Sequence, residues 1–327
     1  MTDHILSFDI PGIMLCQQNR YPMLFIDRVT ECVPNKYAKG YKLFSFNEWF
    51  FHGYEKSGPK VWNAVQVEAM SQIFLMTFLS DEEFRGSLAI SYKFDKVQFL
   101  RKIIPGEKLV LEAVLDSFGR GVARGKVTGH VNNKLACSME CTIVVPKLFA
   151  MPKKNNSVTN INIDSIYNID VSVNKCFFGV DRIQECLLNK YPWLFLDLVF
   201  DIEPGKYVKA IKNFTYNEHY FPAHFPGDPS VPGFIQIECC MQAFLLTFLS
   251  LDKYKRSETA DRLLNNVHIR RKIIPGDSLV LIAQLDRFNR GVAVGHVESY
   301  VDGEPAISFD VTAVIIDELD KFKPINR

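Results

Sequence analysis

The sequence predicts an α+β protein built twice over, each copy an antiparallel sheet wrapped on one long buried helix. Three observations carry this. First, YPMLFIDRV at 21–29 returns as YPWLFLDLV at 191–199, an offset of 170 residues (from 21 to 191). The same offset relates Glu68 to Glu238, RKIIPG at 101–106 to its copy at 271–276, and Arg120-Gly121 to Arg290-Gly291. A constant offset over a long period means two copies of one small domain. Second, after Gly233 the residues Phe234, Ile237, Met241, Phe244, Leu245 and Phe248 recur at helical spacing, so most of this helix is expected to be buried. Third, LVLEAVL (109–115) and VTGHV (127–131) alternate apolar and polar residues with β-branched enrichment, as half-buried antiparallel strands do. One long apolar helix and a run of strands pack as two layers.

Each copy reads in the same order. A short helix (8–18; 179–189) precedes strands near 24–32 and 38–46, or 194–202 and 206–214. The apolar helix follows at 63–79 or 233–250. Four strand patterns come next, at 88–99, 107–118, 121–132 and 135–145. Their counterparts are 264–271, 277–288, 291–302 and 305–316. Phe118-Gly119-Arg120-Gly121 and Phe288-Asn289-Arg290-Gly291 read as hairpin turns, not phosphate loops. Between the copies, PKKNNSVTNINIDS (152–165) is polar, Asn-rich and aperiodic, as a linker is. The expected division is an N-terminal domain at 1–150, a linker at 151–172 and a C-terminal domain at 173–327.

Composition narrows the function classes. The 327 residues carry a net charge of +1, so bulk charge gives no case for nucleic acid or an anionic membrane. The longest apolar stretches, near 73–79 and 243–251, fall short of a membrane span. MTDHILSFDIPG lacks the basic and apolar regions of a signal peptide. The eight Cys show no CxxC pair or Cys/His metal spacing and read as reduced, small apolar residues. No metal site and a cytoplasmic location are therefore expected.

The chemistry concentrates in NEHYFPAHFPGDPSVPGFIQIECCMQ (217–242). His224-Phe225-Pro226-Gly227 leads through Pro232-Gly233 into the apolar helix, on which Glu238 is a lone carboxylate. An ionised side chain is costly there. A His, a helix N-terminus and a desolvated carboxylate are what an acid–base enzyme acting on a carbonyl compound needs.

The stretch 187–242 resembles the beta-hydroxyacyl-acyl carrier protein dehydratases of fatty acid synthesis. That family carries a YPFLLVDRV-like opening, then NEPFFxGHFPxxPVMPGVLxxEAMAQ, then RxPVxPGDxL. The matching residues are Tyr191-Pro192, Asn217-Glu218, His224-Phe225-Pro226, Pro232-Gly233, Glu238, Gln242 and RRKIIPGDSL at 270–279. The departures are Cys239 for the family's Ala, and Ser230-Val231 for its Val-Met. The resemblance implies the hot-dog fold, usually dimeric; two copies in one chain would form a double hot dog, an intramolecular pseudo-dimer with two antiparallel sheets, each around its own helix. It also implies sites shared between partners, the His from one hot dog and the Glu from the other's helix.

The copies differ where this matters. FHGYEKSGPKVWNAVQVEAMSQ (51–72) aligns without gaps to 221–242, but Tyr54 stands for His224 and Trp62-Asn63 for Pro232-Gly233. Glu68 and Gln72 match Glu238 and Gln242. His52, two positions before Tyr54, is a weak substitute because no Phe-Pro-Gly follows it. Carried over from the family, His224 faces Glu68 with Gly233 beside it, while Tyr54 with Glu238 lacks a base and is degenerate. The alternative is that both carboxylates survive to hydrogen-bond a buried loop; a lone carboxylate on an apolar helix favours the catalytic reading of Glu68. The implied reaction is dehydration of a 3-hydroxyacyl thioester to a trans-2-enoyl thioester, in fatty acid or polyketide-type synthesis. His224 would be the base, Glu68 the acid and Gly233 N–H the oxyanion donor, with no metal or redox cofactor. Phe225, Pro232 and Tyr191 are further candidates for substrate binding; Tyr-Pro can equally set a turn. Arg270, Arg271 and Lys272 are candidates for docking an acidic acyl carrier protein, or else form a solvated strand face. Two other readings stay open: a hot-dog isomerase, cyclase or thioesterase using the same pair, and a non-catalytic acyl-binding scaffold. Trimers of the pseudo-dimer are an allowed assembly.

Overall fold

The structure, a computed structural model, describes residues 5–51, 58–148 and 177–321. The linker expected at 151–172 and the residues His52 and Tyr54 lie outside the described residues. The first copy runs β1 (Leu6–Phe8), α1 (Ile10–Cys16), β2 (Arg28–Val33), β3 (Tyr37–Leu43), α2 (Asn63–Leu79), β4 (Ile90–Phe99), β5 (Lys108–Gly119), β6 (Val122–Val131) and β7 (Lys134–Val144). The second runs α3 (Val180–Cys186), β8 (Leu198–Glu203), β9 (Tyr207–Asn213), α4 (Gly233–Leu249), β10 (Thr259–Ile269), β11 (Ser278–Asn289), β12 (Val292–Val301), β13 (Glu304–Ile315) and α5 (Ile316–Asp320). The three-residue β1 falls at the edge of the expected first helix; its counterpart is the single bridge Phe178–Val199.

The two sheets are not separate. The strand order β1-β2-β3-β5-β6-β7-β4-β10-β13-β12-β11-β9-β8 makes one antiparallel sheet of 13 strands, nearly palindromic about the β4–β10 seam. At that seam Val97 opposes Leu264 and Phe94 opposes Val267. Lys96 and Asn266, again 170 apart, both take positive φ (50° and 52°). Each of their N–H groups is satisfied by the facing strand: Lys96 donates to Asn265 Oδ1 and Asn266 to Asp95 Oδ1, both at 3.1 Å. Pairing consumes one edge of each copy and leaves β1 and β8 at the ends of the joint sheet.

α2 and α4 are apolar nearly all round, the pattern of a helix wholly inside the core. Neither has a side-chain N-cap hydrogen bond, a deficit of about 1 kcal/mol each. Burial of Phe74, Phe78, Phe244 and Phe248 contributes about 2 kcal/mol apiece and outweighs it. The copies interlock through aromatic rings: Phe25 meets Phe234 edge-on at 5.5 Å, and Trp62 stacks on Trp193 at 5.2 Å.

The hairpins at 119–122 and 289–292 turn on two residues. Arg120 and Gly121 have φ of 51° and 74°, Arg290 and Gly291 50° and 76°, and a tight turn with both central residues left-handed suits the twist of the flanking strands. All seven described cysteines are free and buried. Among the described residues no helix is long and apolar enough to cross a membrane.

Candidate active site

A cavity of about 300 Å³ opens between the copies and brings Glu68 of α2 together with His224 and Gly233 of the second copy. The loop before α4 sets the His224 ring. Ser230 N–H donates to the His224 carbonyl at 2.8 Å, and His224 Nδ1 lies 2.9 Å from the Ser230 carbonyl. A carbonyl only accepts, so Nδ1 carries the hydrogen and Nε2 is left with its lone pair. Ser230 Oγ, 3.3 Å from the same Nδ1, is a second neighbour. Phe225 stacks on the imidazole at 3.9 Å and 29°. Burial pushes the His224 pKa down to about 4; the bond to Ser230 opposes this and the Lys272 charge adds to it. The imidazole is neutral at ordinary pH.

Glu68 is held with equal definition. Gln72, one turn on, has its Oε1 occupied by Phe25 N–H at 2.7 Å, so its Nε2 must point the other way. That nitrogen donates to Met23 O and to Glu68 Oε1, each at 2.8 Å. Asn19 Nδ2 also approaches Oε1, at 3.5 Å. Oε1 is thereby an obligatory acceptor, and the proton of a neutral Glu68 sits on Oε2. Burial raises the Glu68 pKa to about 7, against the lowering by Gln72. Asn19 was not singled out from the sequence. Its repeat with Asn189, 49 residues before each Glu, was the available signal.

Gly233 is the first residue of α4, where backbone N–H groups have no helical acceptor. A Cβ here would lie 3.0 Å from Ile269 Cδ1 and 4.0 Å from Ser91 Cβ of the first copy. Its backbone therefore faces the cavity between the two copies. Two expected residues fall elsewhere. Pro232 caps the start of α4 and is not part of the lining; its carbonyl receives Ile235 N–H and Gln236 N–H. Tyr191 is 86% exposed and lines a different depression, with Lys212 and His219. The Tyr-Pro segment sits outside the cavity because the Asn189 and Trp193 that flank it are the residues turned inward. Arg270, Arg271 and Lys272 do line the mouth. Arg271 binds Glu304 and Lys272 binds Asp228, while Arg270 donates to the neutral oxygens of Ser308 and His268.

The FabA-like domain model matches twice, over residues 18–140 and 187–310. The chain belongs to the FabA-like family. Similar relatives are each close to one copy in size. The 3-hydroxyacyl-[acyl-carrier-protein] dehydratase FabZ of Clostridium novyi is 36% identical over 133 residues, which is 41% of this chain and 94% of that protein. The same enzyme of Ralstonia nicotianae is 35% identical over 147 residues, 44% of this chain and 90% of its own. Solved structures resemble the whole chain. A trans-AT PKS dehydratase domain from Brevibacillus brevis aligns over 91% of this chain and 99% of its own, with a TM-score of 0.60 and 10% identity. The dehydratase domain from the CurJ module of curacin polyketide synthase gives 0.57, 9% identity, and 90% and 98% coverage. At such identities these two likenesses establish the fold, a double hot dog.

The family's architecture allows a second site, and the structure contains its cavity, about 140 Å³, around Glu238. The acid half is intact. Gln242 Nε2 donates to Glu238 Oε1 at 2.9 Å and its Oε1 receives Phe195 N–H. Burial brings the Glu238 pKa up to about 7. The other half is rebuilt. Asn63 stands for Gly233, and its Nδ2 donates to Asp261 Oδ2 at 3.0 Å. Asp261 is the counterpart of Ser91. An amide and a carboxylate therefore fill the space that Gly233 and Ser91 leave open in the first cavity.

Proposed function

We infer that the chain is a 3-hydroxyacyl-thioester dehydratase with one working site, assembled from His224 and Gly233 of the second copy and Glu68 of the first. The observation that carries this is the single cavity lined by all three. His224 Nε2 takes the α-proton of the substrate. Charge develops on the thioester oxygen, and the Gly233 N–H, at the positive end of the α4 dipole, stabilises it. The Cβ–O bond breaks as Glu68 Oε2 delivers its proton to the departing hydroxyl. Water and a trans-2-enoyl thioester result. The thioester's own acidity and these groups suffice for the chemistry as written. Phe225 holds the imidazole plane. The acyl chain leaves the reacting carbons along Leu75, Leu88 and Ile143, an apolar wall.

The substrate is carried on the phosphopantetheine of an acyl carrier protein or domain, with CoA as the alternative carrier, in the cytoplasm. Arg270 is the rim charge best placed to meet an acidic carrier, since no carboxylate among the described residues is bonded to it.

The two pKa shifts set a pH dependence. The competent form needs His224 neutral and Glu68 protonated, so kcat/KM rises through about 4 and falls through about 7. A kcat/KM profile measured on a soluble 3-hydroxyacyl thioester checks this. A single limb rising through the ordinary His value of 6.5 would contradict it.

A further inference from the structure

We propose that the second cavity binds a 3-hydroxyacyl chain and holds it without turnover. The choice of this ligand class rests on the dehydratase reading; the existence of a second binding site does not.

Four features of the cavity support it. Glu238 is 6% exposed; its Oε1 is held by Gln242, and the Trp193 indole also bears on the carboxyl. Burial brings the Glu238 pKa up to about 7, and a neutral carboxyl lining the cavity presents O–H to a hydroxyl oxygen. By the internal symmetry this is where a β-hydroxyl lies in the first cavity. Next, Glu238, Met241, Leu245 and Leu249 all line the cavity from one face of α4. They run for about 16 Å at the helical rise, an apolar floor suited to a chain. The corresponding floor of the first cavity stops at Leu75 and carries Ser71 where Met241 stands. Along α4 the second cavity thus has the longer apolar floor, while its rim carries charged side chains.

The reaction centre is disabled on both counts. Asn63 and Asp261 occupy the oxyanion position, and the counterpart of His224 is a tyrosine in the sequence, with no basic nitrogen to offer. Finally, Lys60 and Lys102 line the cavity close enough to affect each other's charge. Glu258, which acts on Lys102 more strongly than Lys60 does, sits beside them, and with Arg101 and Arg262 the lining keeps an excess of basic side chains that suits an anionic head group.

The test is binding stoichiometry by calorimetry, using the full chain and 3-hydroxydecanoate, with turnover of a 3-hydroxyacyl thioester followed in parallel. Wild type is expected to bind two equivalents per chain. Met241→Trp, which fills the floor, and the rim pair Lys60→Glu with Lys102→Glu should each leave one, with kcat within about twofold of wild type. Decanoate, lacking the hydroxyl, should bind the second site about tenfold more weakly, the worth of roughly 1.4 kcal/mol. One equivalent in wild type and in both variants overturns the proposal, as does two in all three. An inactive wild type that still binds two equivalents, one lost in the variants, would sink the dehydratase reading and leave the second site standing.

Discussion

Glu68→Gln is expected to lower kcat about 10³-fold, the usual worth of a positioned acid, while Glu238→Gln stays within about twofold of wild type. Glutamine is isosteric with the neutral acid and its Oε1 still accepts from Gln72 or Gln242, so neither change should disturb the fold. Glu68→Gln removes a proton that can leave; the amide hydrogens cannot follow a departing hydroxyl. Burial raises both carboxyls to about 7 and each accepts from a Gln one turn on, so pKa alone does not separate them. What separates them is the company: His224 and Gly233 beside Glu68, Asn63 and Asp261 beside Glu238. Steady-state rates of the two variants, with melting temperatures as a fold control, check the asymmetry. Equal losses would refute it.

His224→Ala should cost about 10³-fold as well, and for a different step. With Nε2 gone, no other described lining residue offers a neutral base at the α-carbon, since Lys272 and Arg271 are cationic and ion-paired. The loss should appear in kcat more than in KM, because the imidazole acts on charge that develops only in the transition state. It should also flatten the acid limb of the pH profile while the limb near 7 persists. A variant that keeps both limbs would remove His224 from the role of base.

Much of the fold was legible. The 170-residue repeat gave the copy number, and α2 and α4 fall at 63–79 and 233–249 as their apolar runs indicate. The β4–β10 seam was not legible, because pairing between edge strands leaves no residue signature: Val97 and Leu264 look like any other strand residues. In the site, His224, Glu68 and Gly233 were found by motif, and the cavity contains all three. Tyr191 was misplaced because a Tyr-Pro pair marks a turn, and a turn does not say which of its flanks faces inward. The Asn63–Asp261 bond was invisible for a related reason. Its partners lie 198 positions apart, and only the pairing of the two copies brings them together.

In the proposed arrangement one chain builds one complete site across its two copies. Co-refolding His224→Ala chains with Glu68→Gln chains tests it most directly. Within a chain, every site would lack either base or acid, so the mixture should be as inactive as either variant alone. Recovery of a sizeable fraction of wild-type dehydration would mean that His224 of one chain works with Glu68 of another, and the intramolecular site would be wrong.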